Sequence, residues 1–95
     1  METPQLTKPV VLLIYNRPGL TKQVFECIAE ARPKHLLVVA DGPKNEGDRV
    51  LCHDARDVVS DITWDCKVDR LYSESNLGCG QRVSSGLDWV FSRVN

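Results

Sequence analysis

"LLIYNRPG" (residues 12–19) decides how this chain folds. An apolar run stops at Tyr15, and Asn16-Arg17 then sits against Pro18-Gly19. The upstream half belongs to Pro9 to Tyr15 (PVVLLIY), a short continuous apolar stretch with three β-branched residues. That pattern suits a strand buried on both faces. The downstream half opens a helix. Pro18 fits a first helical turn, where its missing N–H costs nothing, and Leu20, Val24, Cys27, Ile28 and Ala31 recur on one helical face. Pro33 ends that helix by disfavouring helical geometry at Arg32.

The same alternation continues outward. His35 to Ala40 (HLLVVA) reads as a second buried strand, and Asp41-Gly42-Pro43 is a turn signal. Leu51, Ala55, Val58, Val59 and Ile62 mark a second helical face. A third strand spans Cys66 to Tyr72, its apolar pattern broken by Asp69 and Arg70. Val83, Leu87, Val90, Phe91 and Val94 then give a third helix. The order β-α-β-α-β-α predicts an α/β fold: a mainly parallel sheet with right-handed crossovers, in a three-layer α/β/α arrangement. Residues 1–95 read as a single, incomplete domain, one small unit or part of a larger one, with no linker or low-complexity segment between the elements.

Composition narrows the function classes. A net charge of −1 with 26% charged residues leaves no basic footprint for nucleic acid and no polybasic patch for a membrane. The apolar run from Val10 to Tyr15 is far short of the roughly 20 residues a membrane helix needs. No signal peptide is visible in Met1-Glu2-Thr3-Pro4-Gln5. The chain therefore reads as cytoplasmic. Cys27, Cys52, Cys66 and Cys79 lack metal-ligand spacing, and they are expected as reduced, mostly buried thiols.

In open α/β sheets, ligands bind outside the carboxyl ends of the strands. Here those ends carry Asn16-Arg17, Asp41-Gly42 and Ser73-Glu74-Ser75-Asn76-Leu77-Gly78, which share one rim if the strands are parallel. Taken singly, each is also what a turn selects. No G-x-G-x-x-G follows the first strand, and no Walker-type loop is present. Gly78-Cys79-Gly80 is the one Gly-x-Gly, placed where a helix opens and backbone amides can meet an anion.

Together, "PVVLLIYNRPG", "LLVVADGP" and "SESNLGCGQRVSSGLDWVF" resemble the N-terminal half of nucleotide-sugar glycosyltransferases of the GT-A fold, family-2-like members in particular. The resemblance runs from about Pro9 to about Arg93. It implies a nucleotide pocket opened by Tyr15, Asn16, Arg17 and Pro18. It also implies that Asp41, in its turn with Gly42, accepts a hydrogen bond from base or ribose, and that Asn76, Leu77 and Gly78 lead into a helix passing near the diphosphate. The implied ligand is a nucleotide-diphosphate sugar, with uridine diphosphate as the first nucleotide to test. The chain departs from the family in having Ala40-Asp41-Gly42-Pro43 where many members carry two adjacent carboxylates, and in having no Asp-x-Asp metal motif. A divalent cation, magnesium or manganese, is thus expected only in a complete enzyme, and this half alone is expected to be catalytically inactive. No catalytic residue and no metal ligand is assigned within it.

Two other classes compete: a non-catalytic α/β nucleotide-binding or interaction module, and a receiver-like domain using Asp41. The latter needs an acidic pair where this chain has Asn16-Arg17. Asp54/Asp57 and Asp61/Asp65 read as solvated surface, and Glu46 and Asp48 as macrodipole partners at a helix start. Trp64 and Trp89 read as packing residues, whereas Arg17 and Arg82 suit a diphosphate, because guanidinium matches phosphate oxygens. An exposed sheet edge is expected to favour self-association.

Overall fold

The computed structural model describes residues 5–94 and contains six elements in strict alternation. They are β1 (Val10–Ile14), α1 (Pro18–Ala31), β2 (His35–Ala40), α2 (Glu46–Val58), β3 (Lys67–Tyr72) and α3 (Cys79–Val94). The sheet order is β1-β2-β3, and both pairings are parallel. Val10, Leu36 and Val68 lie in register, as do Ile14, Ala40 and Tyr72. All three carboxyl ends therefore stop at one rim.

Strand alternation divides the core between two faces. Leu12, Ile14, Leu36, Val38 and Ala40 meet Phe25 and Ile28 of α1 and Val58 and Val59 at the end of α2. Leu37 and Val39 meet Val90 and Trp89 of α3 on the opposite face. β2 is the buried centre: Leu36, Leu37, Val38 and Val39 are almost wholly enclosed. Its two-sided burial explains why its sequence is continuously apolar rather than alternating. Among the described residues, no helix is long and apolar enough to cross a membrane.

The ends of the elements follow local chemistry. Arg32 leaves α1 in the left-handed region (φ 50°) while its N–H still reaches the Ile28 carbonyl, and Pro33 follows. Asn45 caps α2 by accepting from the Asp48 N–H at 2.9 Å. Asp69, which breaks the apolar pattern of β3, sits on this edge strand 2.8 Å from His35 Nε2. That contact with the imidazole is the main cause holding the Asp69 carboxyl below its usual value. Arg70 donates to the Val59 carbonyl at 3.0 Å.

Two sequence expectations need correction. The apolar stripes of α1 and α3 do not all face the core: Leu20, Val24, Val83, Leu87, Phe91 and Val94 are exposed. On α3 the buried positions are Arg82, Gly86 and Val90. The reason is the three-strand width of the sheet, with α3 lying against β2 through Gly86. The thiols are also less buried than expected. Cys52 is buried and Cys66 half-buried, but Cys27 and Cys79 are exposed. Trp64 and Trp89 do pack, Trp64 donating to the Pro33 carbonyl at 2.8 Å and lying 5.8 Å from the Phe25 ring.

Gly86 sets the distance between α3 and the sheet. A Cβ there would fall 2.9 Å from Val39 Cγ1, a side chain with no room to move. Gly86→Ala is therefore expected to lower stability by about 1–3 kcal/mol, overpacking outweighing the gain in helix propensity. Gly80→Ala, in the same helix with nothing within 4 Å, should be neutral or slightly stabilising. Urea unfolding of the two variants checks this, and equal behaviour would sink the packing argument.

Candidate functional site

The carboxyl rim is organised by two carboxylates. Asp41, 5% exposed at the end of β2, is the inner one. Its Oδ1 accepts the Gly42 and Leu77 N–H groups, each at 2.9 Å. Its Oδ2 accepts the Gly78 N–H and the Asn76 amide, each at 3.2 Å. These four donors fill the roughly four lone-pair sites of a carboxylate. Gly78 can aim its N–H this way because its φ is 83°, a conformation glycine adopts without strain. The Asn76 amide also donates to the Gly42 carbonyl at 3.0 Å. Gly42 has no space for a side chain: a Cβ would lie 2.6 Å from the Ser75 carbonyl oxygen. Residues 73–78 thus lie flat on the β2 turn.

Asp48, in the first turn of α2, is the outer carboxylate. Tyr15 donates its phenol to Asp48 Oδ2, Asn16 donates its amide to Oδ1 at 2.9 Å, and the Lys44 N–H adds a contact at 3.2 Å. The bond from Tyr15 is the main reason the Asp48 carboxyl is held low. Reciprocally, the carboxylate acceptor pushes Tyr15 from 10.0 up to about 12. The sequence reading gave Asp48 to the helix dipole alone, but the structure makes it the post to which the β1 rim is tied.

Arg56 is a functional-looking residue that sequence reasoning missed. It donates to the Asp41 carbonyl at 3.2 Å and the Ser73 carbonyl at 2.7 Å, with its guanidinium 4.7 Å from the Tyr72 ring centroid. The signal was available: Arg56 follows Cys52 by four residues, on the sheet-facing side of α2.

A cavity of about 380 Å³ opens beside these clamps. Its floor is the outer edge of β1 with Leu20 and Val24 of α1 and Val83 of α3. Its mouth carries Tyr15, Asn16, Arg17, Asp41, Lys44, Asn76, Gly78 and Arg82. Six of the seven sequence-predicted site residues therefore line one cavity, and the seventh, Gly42, is bonded to two of them, donating to Asp41 and accepting from Asn76. The Arg82 side chain, only 6% exposed, has an Nε with no hydrogen-bond partner. Buried guanidinium groups are normally paired. Arg82 closes the first turn of α3, its N–H donating to the Gly78 carbonyl at 2.9 Å, while the N–H groups of residues 79–81 precede the first helical bond. Arg17 and Lys44, both exposed, also line the cavity.

Among the described residues, no group of three His, Cys, Asp or Glu side chains converges as a metal site. Asp41 and Asp48 are already occupied by protein donors, so neither carboxylate beside the cavity fits a divalent cation. No family model matches the chain, and no curated protein or solved structure matches it either.

Two measurements check these clamps. Asp41→Asn would place an NH₂ against backbone donors, so stability should fall by about 1–3 kcal/mol. The amides of Leu77 and Gly78 should also lose hydrogen-exchange protection; unchanged protection would show that the carboxylate does not hold the loop. Alkaline titration tests the second clamp. Because Tyr15 is raised on folding, its bond to Asp48 favours the fold below about pH 10 and is lost as pH rises through about 12. Ultraviolet absorbance should therefore show a tyrosine ionising near pH 12, and Tyr15→Phe should remove that phase.

Proposed function

We propose that this chain is the nucleotide-binding half of a sugar-nucleotide transferase, holding the diphosphate of a nucleotide-diphosphate sugar at the rim of its sheet. The Nε atoms of Arg56 and Arg82 are equally unpartnered, but of the two only Arg82 lines the cavity. The buried Arg82 side chain at the opening of α3, whose Nε has no hydrogen-bond partner, carries this reading. A diphosphate oxygen is the natural acceptor for it, since guanidinium and phosphate pair through charge-assisted hydrogen bonds. The α3 N-terminus adds orphan N–H groups and a positive dipole end. Arg17 and Lys44 supply further positive charge at the mouth. The apolar wall formed by Leu20 and Val24 offers a surface for a base. In this proposal Asp41 does not touch the nucleotide. Its carboxylate shapes the loop that presents Gly78 and α3, as its four protein donors indicate.

A second reading, binding without catalysis, is favoured by one observation. Asp41 and Asp48, the carboxylates nearest the cavity, both accept from protein donors, so neither is free to act as a base. The two readings share the same ligand contacts and differ in what a complete protein would do with them.

An amide-shift titration with uridine diphosphate tests the shared core of both. Binding is expected at about millimolar affinity, near −4 kcal/mol, because the cavity is open on one side. Shifts should cluster at residues 15–18 and 76–83. Arg82→Gln should weaken diphosphate binding at least about ten-fold and leave the weaker response to uridine alone unchanged. Shifts scattered over the molecule, or equal binding by the variant, would remove the nucleotide proposal.

A further inference from the structure

The thiols of the chain sit in unlike surroundings. Burial pushes the Cys52 and Cys66 thiols up, which leaves little thiolate, the form that attacks other sulfurs. Cys27 and Cys79 are both exposed. Cys27 lies in α1, with Glu30 one turn along the helix. Cys79 opens α3 and, among the described residues, is the one thiol that lines the cavity.

Access to Cys79 is unobstructed. It stands between Gly78 and Gly80, and a Cβ at either would meet nothing within 4 Å. Arg17, Lys44 and Arg82 line the same cavity. Asp41, the carboxylate that lines it, is 5% exposed and already accepts from Gly42, Asn76, Leu77 and Gly78. Positive charge is therefore what an incoming molecule meets. Arg82 points to an anion independently of the thiol: its side chain is 6% exposed, lines this cavity and has an Nε with no hydrogen-bond partner. A thiol and a set of cations in one cavity select a reagent that carries both an electrophilic sulfur and negative charge.

We propose that Cys79 is a site of reversible mixed-disulfide formation with small carboxylate-bearing disulfides, of which oxidised glutathione is the representative. The Cys79 thiolate attacks one sulfur of the incoming disulfide. The sulfur–sulfur bond of the reagent breaks as the bond to Cys79 Sγ forms. One half of the reagent leaves as a thiolate and takes up the proton that Cys79 released. Cys79 is oxidised, the departing half is reduced, and an added thiol reverses the exchange. Carboxylates on the attached half pair with Arg17, Lys44 and Arg82. Hydrogen peroxide is neutral and gains nothing from these cations, so it is not the oxidant this cavity favours. The modification does not depend on the nucleotide proposal. Its consequence rests on that reading: the attached half would hold the cations that a diphosphate needs and close the nucleotide site.

Rates of adduct formation on the full chain, read separately at Cys27 and Cys79 by peptide mass spectrometry, test the proposal. The probes are oxidised glutathione, which is anionic, and bis(2-hydroxyethyl) disulfide, which is neutral. The anionic-to-neutral rate ratio should be at least about ten-fold larger at Cys79 than at Cys27, as expected for focusing by a charged cleft. Salt at about 1 M should collapse that difference. Arg82→Gln should reduce it, and so should Arg17→Gln combined with Lys44→Gln, a pair at exposed positions that leaves the core untouched. Equal ratios at the two thiols would overturn the proposal, as would a preference that survives both sets of substitutions. Uridine diphosphate separates the two readings. Charge preference at Cys79 without nucleotide binding supports this inference and removes the nucleotide site, and binding without charge preference does the reverse. Where both hold, the glutathione adduct should weaken uridine diphosphate binding at least about ten-fold; unchanged binding would overturn the competition between them.

Discussion

The hydrogen bonds accepted by Asp41 are the constraint on which the rest of the rim depends. A carboxylate at the end of the central strand gathers the backbone of the β3–α3 loop and fixes where α3 begins. Arg56 reinforces the arrangement from below by bonding the Asp41 and Ser73 carbonyls together. Without these contacts, residues 73–78 would have no reason to lie on Gly42, and the first turn of α3 would have no fixed place. Buried polar groups carry a large penalty if left unsatisfied, so a network that is complete at Asp41 is also a specific one.

The second carboxylate has a different consequence. Asp48 ties Tyr15 and Asn16 to the start of α2, so β1 is anchored at its carboxyl end to a helix that packs on only one face. With both acids engaged, Arg17, Lys44 and Arg82 determine the character of the cavity mouth. The overall charge of the chain is near neutral. The cavity differs from that average because Asp41 and Asp48 accept from protein donors while Arg17, Lys44 and Arg82 line it.

Much of this architecture was legible in the sequence. The apolar "HLLVVA" pointed to a buried strand, and the proline after Arg17 pointed to the start of α1; both are observed, and the structure adds that the strand is the central one. The convergence of residues 15–17, 41–42 and 76–78 followed from parallel topology alone. Helix orientation was less legible. The spacing of Val83, Leu87, Val90 and Phe91 describes an apolar face, but it cannot say how wide the sheet beneath it is. Gly86 and Arg82 took buried positions because close approach favours the smallest residue and because the rim has room for a cation. The roles of Asp48 and Arg56 depend on partners 33 and 17 residues away. Pairings at such separations leave no periodic trace.

The two faces of the sheet are unequally furnished, and this bears on binding energetics. The face shared by α1 and α2 holds an extensive cluster, whereas α3 is held by Leu37, Val39 and Val90 with flanking help from Val11 and Trp89. Local opening free energies follow such differences, and elements with few buried apolar contacts open first. α3 is therefore the least costly element to release, and it is also the one that carries Arg82. Only molecules with α3 docked present the complete cation set, so under the proposed function an anion's apparent affinity would scale with that fraction. A bound anion would in turn hold α3 in place, coupling occupancy of the rim to the cohesion of the third layer.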